Sequence, residues 1–227
     1  WICTWQGASF SCDETDPDGE PLAGGGPLSL ADMDGDGDLD IIVAGDRPAL
    51  LEQAVDGFRT APPITQAQAA RVSGVAPADF DDDGDVDLYL ARTSPEDAAT
   101  RRHDLILWND GSWSFTAEDM VETTPAAAGK AFHAFAFDWG ADGDPDIYLV
   151  NDMGAQYQGN TLLENTAGGF SDAGEACRCD IVQSGMGGDA ADWSGDGLPD
   201  LLLGLPASGA TDAGAVWVVG LTGSVSP

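Results

Sequence analysis

Nine residues, "DMDGDGDLD" from 32 to 40, carry five aspartates, and near-copies return as "DFDDDGDVD" at 79, "DWGADGDPD" at 138 and "DWSGDGLPD" at 192. Aligned on their aspartate–glycine pairs they read D-x-D-x-D-G-x-x-D. The first supplies Asp32, Asp34, Asp36 and Asp40, and the second Asp79, Asp81, Asp83 and Asp87. In the third, Gly140 replaces the second acid while Asp138, Asp142 and Asp146 remain; the fourth keeps Asp192, Asp196 and Asp200, with Ser194 in that slot. The chemistry this pattern fits is calcium ligation. Ca2+ takes six to eight oxygens at about 2.3–2.6 Å, and alternate residues of a tight loop direct several carboxylates at one point. The glycine permits a backbone reversal that turns the next carbonyl inward, so Asp38, Asp85, Asp144 and Leu198 are expected to add a main-chain oxygen. One ion per loop gives about four ions in all. The first two loops, with more acidic side chains, are expected to bind more tightly. A solvated acidic turn explains one such stretch but not four in register.

The surrounding elements decide which kind of calcium loop this is. An EF-hand needs a bidentate acid at position twelve and flanking helices, but Val43, Leu90, Leu149 and Leu203 stand there. Each loop is instead followed by a short apolar run, "IIVAG", "LYLA", "IYLV" and "LLLG", and preceded by "PLSLA", "GVAPA", "FAF" and "GGDAA". These read as strands. Downstream, "ALLEQAVDGF", "LILWNDGSWSF" and "TLLENTAGGF" each read as strand, glycine-bearing turn and aromatic-led strand, a hairpin pattern; "AVWVVGLTGSVS" stands in the same place in the last unit. The unit is therefore four strands. Its motifs start at 32, 79, 138 and 192, and a four-stranded repeat of roughly 40–60 residues is a β-propeller blade. The predicted fold is all-β, with calcium loops between the first two strands of each blade. The blades are expected at 25–71, 72–127, 128–180 and 181–227, with 1–24 as the outer hairpin of a preceding blade or an N-terminal disulfide segment. Met33, Phe80, Trp139 and Trp193 share the second loop position, apolar in every copy, and are expected to be buried between adjacent blades.

Charge and cysteines narrow the function classes. The formal charge of −32 argues against nucleic acid or an anionic membrane surface as main partner, because both demand a basic patch. No apolar run approaches the roughly 18 residues of a membrane span. The chain starts at Trp1, so it is expected to be mature, trimmed or a fragment. Cys3, Cys12, Cys177 and Cys179 make an even set, which favours disulfides and an oxidising compartment over zinc, whose usual ligand spacings do not match. Cys3 to Cys12 is the natural local bridge; Cys177 to Cys179 would close a tight ring, and cross-pairing stays open.

The stretches "FAFDWGADGDPDIYLVND" and "GMGGDAADWSGDGLPDLLLG" resemble repeats of the FG-GAP/VCBS family. The resemblance runs from residue 26 to 227, although the Phe-Gly and Gly-Ala-Pro signatures are blurred. It implies an integrin-α-like propeller with structural calcium. Propellers of that family generally have about seven blades, near the upper end of the usual range, which implies part of a larger propeller or a short open one.

Function follows less directly. His103 and His133 are the two histidines, both read as structural, and there is no G-x-S-x-G elbow or phosphate loop. A propeller enzyme, lyase or hydrolase, would draw on His133, Asp189 and Arg178. The expectation is a secreted or cell-surface, non-enzymatic binding or adhesion scaffold whose partner is a protein or glycan. The alternative partner is a further copy of the chain, in a self-assembling extracellular fibre or matrix. Arg92, Arg101 and Arg102 in "ARTSPEDAATRRHD" read either as a solvated linker or as an acid-binding contact.

Overall fold

The computed structural model describes residues 2–5, 10–13, 26–46, 48–55, 57–62, 64, 71–92, 103–120, 130–152, 158–167, 169–182, 185–205 and 215–221. A hairpin of β1 (Ile2–Trp5) and β2 (Phe10–Asp13) opens the chain. Next come β3 (Leu28–Ala31), β4 (Asp40–Val43), β5 (Ala49–Ala54) and β6 (Gly57–Thr60), hydrogen-bonded in that order as one antiparallel sheet. The second sheet is β7 (Val72–Ala78), β8 (Asp87–Arg92), β9 (Leu105–Asn109) and β10 (Phe115–Asp119). The third is β11 (Ala131–Phe137), β12 (Asp146–Asn151), β13 (Thr161–Glu164) and β14 (Ser171–Asp172), followed by the one-turn helix α1 (Gly174–Cys177). The fourth holds β15 (Gly187–Ala191), β16 (Asp200–Leu205) and β17 (Ala215–Gly220), so its expected fourth strand is not among the described residues.

Each sheet is a blade of the kind propellers use, and burial shows why the second strand is uniformly apolar. β8 and β12 are buried at every residue, since each has a neighbouring sheet on both faces. The first strands follow one another in space, β3 on β7, β7 on β11 and β11 on β15, and no comparable packing joins β15 back to β3. The approach is closest at Gly74, where a Cβ would lie 2.7 Å from the Ala134 nitrogen and 2.9 Å from the His133 carbonyl carbon. Only glycine fits between two backbones that near.

Three apolar clusters fill the three junctions. Met33 packs with Ile42 and Leu50 of its own sheet and with Val75, Leu88 and Leu107 of the next. Phe80 packs with Tyr89 and Ile106, and across the junction with Ala134, Ile147 and Leu163; the Phe170 ring meets it edge-on at 5.6 Å. Trp139 packs with Tyr148 and Leu162 on one side and Leu201, Leu203 and Leu221 on the other. The expected inter-blade anchor is therefore present three times. It fails once: Trp193 is 74% exposed. The fourth sheet has no sheet beyond it among the described residues, so there is nothing for that indole to enter.

Cys177 and Cys179 are bridged, closing the tight ring and leaving neither for a cross-pair. Cys3 and Cys12 stand directly opposite in the β1–β2 register, where a local bridge requires them. Arg92 is not a contact for an acidic partner. It is buried, with its Nη2 3.1 Å from Asp119 Oδ1 and its Nε donating to the His103 carbonyl. Arg101 and Arg102 lie outside the described residues.

The two ends of this burial scale give a direct test. Phe80→Ala should cost about 3–5 kcal/mol, the usual range for emptying a buried aromatic site. Trp193→Ala should stay within about 0.5 kcal/mol, as an exposed substitution does. Urea unfolding at a protein concentration dilute enough to keep single chains apart measures both, and comparable losses would contradict the exposed placement of Trp193.

Candidate metal centre

The ninth aspartate of each motif is the buried one: Asp40, Asp87, Asp146 and Asp200 are all at most 4% exposed, while the middle of every loop is open to water. Position at the start of the second strand places the carboxylate under the loop, where it ties down backbone. Asp40 Oδ2 accepts from the Met33 N–H at 2.8 Å and Oδ1 from the Gln53 N–H at 2.8 Å. Asp87 binds the N–H groups of Phe80 (3.0 Å) and Asn109 (2.8 Å) in the same way. Asp146 repeats it with Trp139 (2.6 Å) and Asn165 (2.7 Å). In the fourth loop Asp200 Oδ2 takes the Ser194 N–H instead, at 2.7 Å. That one-residue shift accompanies the outward Trp193.

The first aspartate shapes the loop crest. Asp32 accepts from the N–H groups of Asp36 (3.1 Å) and Gly37 (2.9 Å), and Asp79, Asp138 and Asp192 make the equivalent pairs. The fifth, acidic in all four loops, caps the residue two positions on: Asp36 Oδ1 accepts from the Asp38 N–H at 2.9 Å, and Asp83 does so for Asp85, Asp142 for Asp144 and Asp196 for Leu198. Backbone conformation repeats with equal fidelity. The sixth position is left-handed in all four loops, at φ 93° (Gly37), 96° (Gly84), 98° (Gly143) and 89° (Gly197). The fourth position is left-handed too, and there the residues are Gly35, Asp82, Ala141 and Gly195.

Asp32, Asp34 and Asp40 bring carboxylate oxygens within 4.8 Å of one another, and Asp79, Asp81 and Asp87 do the same. Ligands around one calcium at about 2.3–2.6 Å stand up to roughly twice that distance apart, so the donor set and its spread fit the ion. Among the described residues these two groups form in the loops that keep the third-position acid; Gly140 and Ser194 interrupt the other two. Asp36 and Asp83 stand outside the groups, holding the crest.

Two features were not foreseen from the sequence. Asn109 Nδ2 donates to the Met33 carbonyl at 2.8 Å, and Asn165 Nδ2 to the Phe80 carbonyl at 2.8 Å. Each asparagine thus clasps the loop of the preceding blade while its own N–H holds the ninth aspartate of its own blade. The signal was legible in "LILWN" and "TLLEN", where asparagine ends the third strand or directly follows it. Asp104, fully buried beneath the second sheet, accepts from the Tyr89 hydroxyl (2.7 Å) and the Arg92 N–H (2.7 Å). Asn160 holds the corresponding place in the third blade, accepting from the Asn151 N–H at 2.9 Å. A cleft of about 530 Å³ opens between these two blades on the loop side, with Phe80, Met120 and Phe170 as its buried floor and Asp81, Asp82 and Glu118 at its rim. Of the residues considered for catalysis, His133 and Asp189 come together. The imidazole lies against Phe135 at 5.7 Å, and burial lowers its pKa against the opposing pull of Gly188 and Asp189. Arg178 sits elsewhere, left-handed at the end of α1.

Burial shifts the acids. Without metal, desolvation pushes Asp87, Asp104 and Asp146 up to about 6 from the ordinary 3.8, and Asp40 in the same direction. A carboxyl raised in the native state holds its proton there while the unfolded chain has lost it. Its stabilising contribution is complete below pH 3.8 and is lost as pH rises through about 6. The metal-free protein should therefore lose stability between pH 4 and 6.5. In millimolar calcium the slope should reverse, because protons compete with the ion for the same oxygens. Denaturant midpoints across that range, in EDTA and in calcium, measure both slopes, and parallel slopes would contradict the assignment. A second outcome concerns Ala141 at φ 53°. A left-handed alanine costs about 1–2 kcal/mol, partly offset by the greater unfolded-state freedom of glycine. Ala141→Gly should raise stability by about 0.5–1 kcal/mol in a thermal melt, and a loss would place strain elsewhere.

The FG-GAP-like repeat family model matches residues 18–90 and 138–203, a span that includes the first two loops and the last two. No curated protein matches the chain. With more than half of its length matched, three four-stranded blades and the repeated aspartate loops, the chain belongs to the FG-GAP-like repeat family.

Proposed function

We propose that this chain is a calcium-stabilised propeller-type scaffold, extracellular and non-enzymatic, that binds a protein or glycan partner through the loop side of its blades. The observation that carries the metal is the recurrence of one carboxylate triad, Asp32/Asp34/Asp40 and Asp79/Asp81/Asp87, at equivalent places in successive blades. Two such groups in register are a repeated device, whereas scattered surface acids would not converge alike. The loops hold 18 of the 40 acidic residues. Calcium relieves that repulsion and cross-links the first, third and ninth positions, and so rigidifies the turn that carries the inter-blade anchor.

Magnitude points to a structural role for the ion. At a dissociation constant near 10⁻⁴ M, typical of extracellular modules, millimolar calcium contributes about 1–1.5 kcal/mol per site by mass action. Several sites together are comparable to a domain's whole margin of roughly 5–15 kcal/mol. Such weak sites fill outside the cell, and the Cys177–Cys179 bridge suits the same oxidising setting. The binding part of the proposal rests on the acid-rimmed, apolar-floored cleft between the second and third blades, on rigid strands that leave variable chemistry to connections.

Calorimetric titration with calcium tests the metal. Asp34→Asn and Asp81→Asn should each remove about one site, and the wild-type melting temperature should fall in excess EDTA. Unchanged melting in EDTA would remove calcium from the fold's stability, and unchanged stoichiometry in both variants would remove these triads as its ligands.

A further inference from the structure

The second blade departs from its two neighbours at one place. The residue whose N–H holds the ninth aspartate marks the same point in each blade: Gln53, Asn109 and Asn165. Three residues before it stand Leu50, Ile106 and Leu162, all buried, and one residue before it Glu52, Trp108 and Glu164. Opposite Leu50, Ile106 and Leu162, the outer strand or the residue just after it brings Ala61, Glu118 and Ala173. Both alanines are at most 5% exposed, so a blade of this repeat packs with a small side chain there. The second blade has an exposed carboxylate instead, beside an indole that neither neighbour carries.

The two differences act together. Trp108 Nε1 donates to Glu118 Oε2 at 2.9 Å, which holds the half-buried ring at the wall of the cleft between the second and third blades. Both walls of that cleft belong to this chain, Trp108 and Glu118 on one side and Thr166 and Phe170 on the other. Its rim adds Asp82 and Asp144, exposed loop residues outside the carboxylate triads. The charges of Glu118, Asp82 and Asp144 therefore stand apart from the metal sites, and no lysine or arginine is among the described residues that line the cleft. Carboxylates around an apolar floor, with an aromatic ring at the wall, are complementary to a cation that carries an apolar or planar body. The volume of about 530 Å³ lies within the roughly 300–1,000 Å³ of ligand pockets.

We propose that this cleft receives an arginine side chain of a protein partner, its guanidinium packed against Trp108 and hydrogen-bonded by Glu118, with Asp82 and Asp144 adding attraction from the rim. Arginine suits the site better than lysine. Its planar, weakly hydrated head lies flat on an indole and offers several donors to a carboxylate at once. An acidic glycan would be repelled by the rim, and a neutral one would leave the three charges without a counterpart. The net charge of −32 draws any cation toward the chain, so the specific element is the Trp108–Glu118 pair. This assignment rests on the scaffold reading, which places a partner in the same cleft, and narrows that partner to a basic segment of a protein.

Heteronuclear NMR in millimolar calcium and physiological salt tests it, with the indole N–H resonance of Trp108 as readout. The probe is the blocked peptide Gly-Gly-Arg-Gly-Gly, compared with the same peptide carrying citrulline, a neutral isostere, in place of arginine. The arginine peptide should shift that resonance saturably, and the citrulline peptide should bind at least about tenfold more weakly, about 1.4 kcal/mol. Glu118→Gln keeps an acceptor for the indole and removes only the charge, so it should weaken the arginine peptide to the same degree. Glu175→Gln removes an equal charge from an exposed site away from the cleft and should change nothing. Both variants should keep the wild-type calcium stoichiometry, because neither residue belongs to a triad. Equal affinity for the two peptides, wild-type affinity in Glu118→Gln, an equal loss in Glu175→Gln, or no saturable shift of Trp108 would each overturn the proposal. A Trp108 shift produced by maltoheptaose and not by the arginine peptide would overturn it too, while leaving the scaffold reading intact with a glycan in the cleft. Calcium stoichiometry and melting in EDTA test that reading separately.

Discussion

The structure depends on one buried carboxylate per blade. The ninth aspartate reaches back to the N–H that opens its loop and across to the N–H that ends the third strand, joining three segments through two backbone donors. A carboxylate taken out of water is costly, and two backbone donors compensate it only in part. The raised pKa values of Asp87 and Asp146 express that deficit. A divalent cation bound by the loop carboxylates would answer that shortfall. The loop is thus built around a charge that is unfavourable without metal and that a bound cation would favour.

That point also sets how blades join. Because the ninth aspartate fixes the loop's second residue from below, the side chain of that residue is aimed outward at the next sheet, and its carbonyl is left for an asparagine of that sheet. Charge, loop and packing are therefore one unit: opening a loop withdraws Met33, Phe80 or Trp139 from a junction. Repeat-protein stability includes nearest-neighbour interface terms, so a disturbance of one loop is expected to act on two blades at once.

The strands and loops were legible because their signals are local and repeated. "LYLA" and "IYLV" are apolar at every position, which is what β8 and β12 need with a sheet on either face. The carboxylates of Asp32 and Asp34 were legible from spacing alone. What spacing did not foretell was the hydrogen bonding of Asp36 and Asp83, whose side chains each accept from the N–H two residues on. The left-handed fourth position was masked by its occupants, since glycine, aspartate and alanine share no pattern while sharing a conformation. Arg92 was misleading for the opposite reason. A rare cation in an acidic chain draws notice as a contact, yet its surroundings are Asp119 and a carbonyl inside the fold.

Trp193 shows where a repeat argument has to stop. Equivalence of sequence position implies equivalence of backbone, but burial is a property of a pair of surfaces, and the second surface belongs to a different blade. For three loops the next blade is in the chain; for the fourth it is not among the described residues. In this same loop the donor to Asp200 is the Ser194 N–H, one residue on from the position that donates in the other three. An indole left in water forgoes roughly 2–3 kcal/mol of burial, while its polar neighbours Asp192 and Ser194 are indifferent to exposure. An apolar second position is therefore legible as a half-interface, and the sequence of the loop alone carries no information on what completes it.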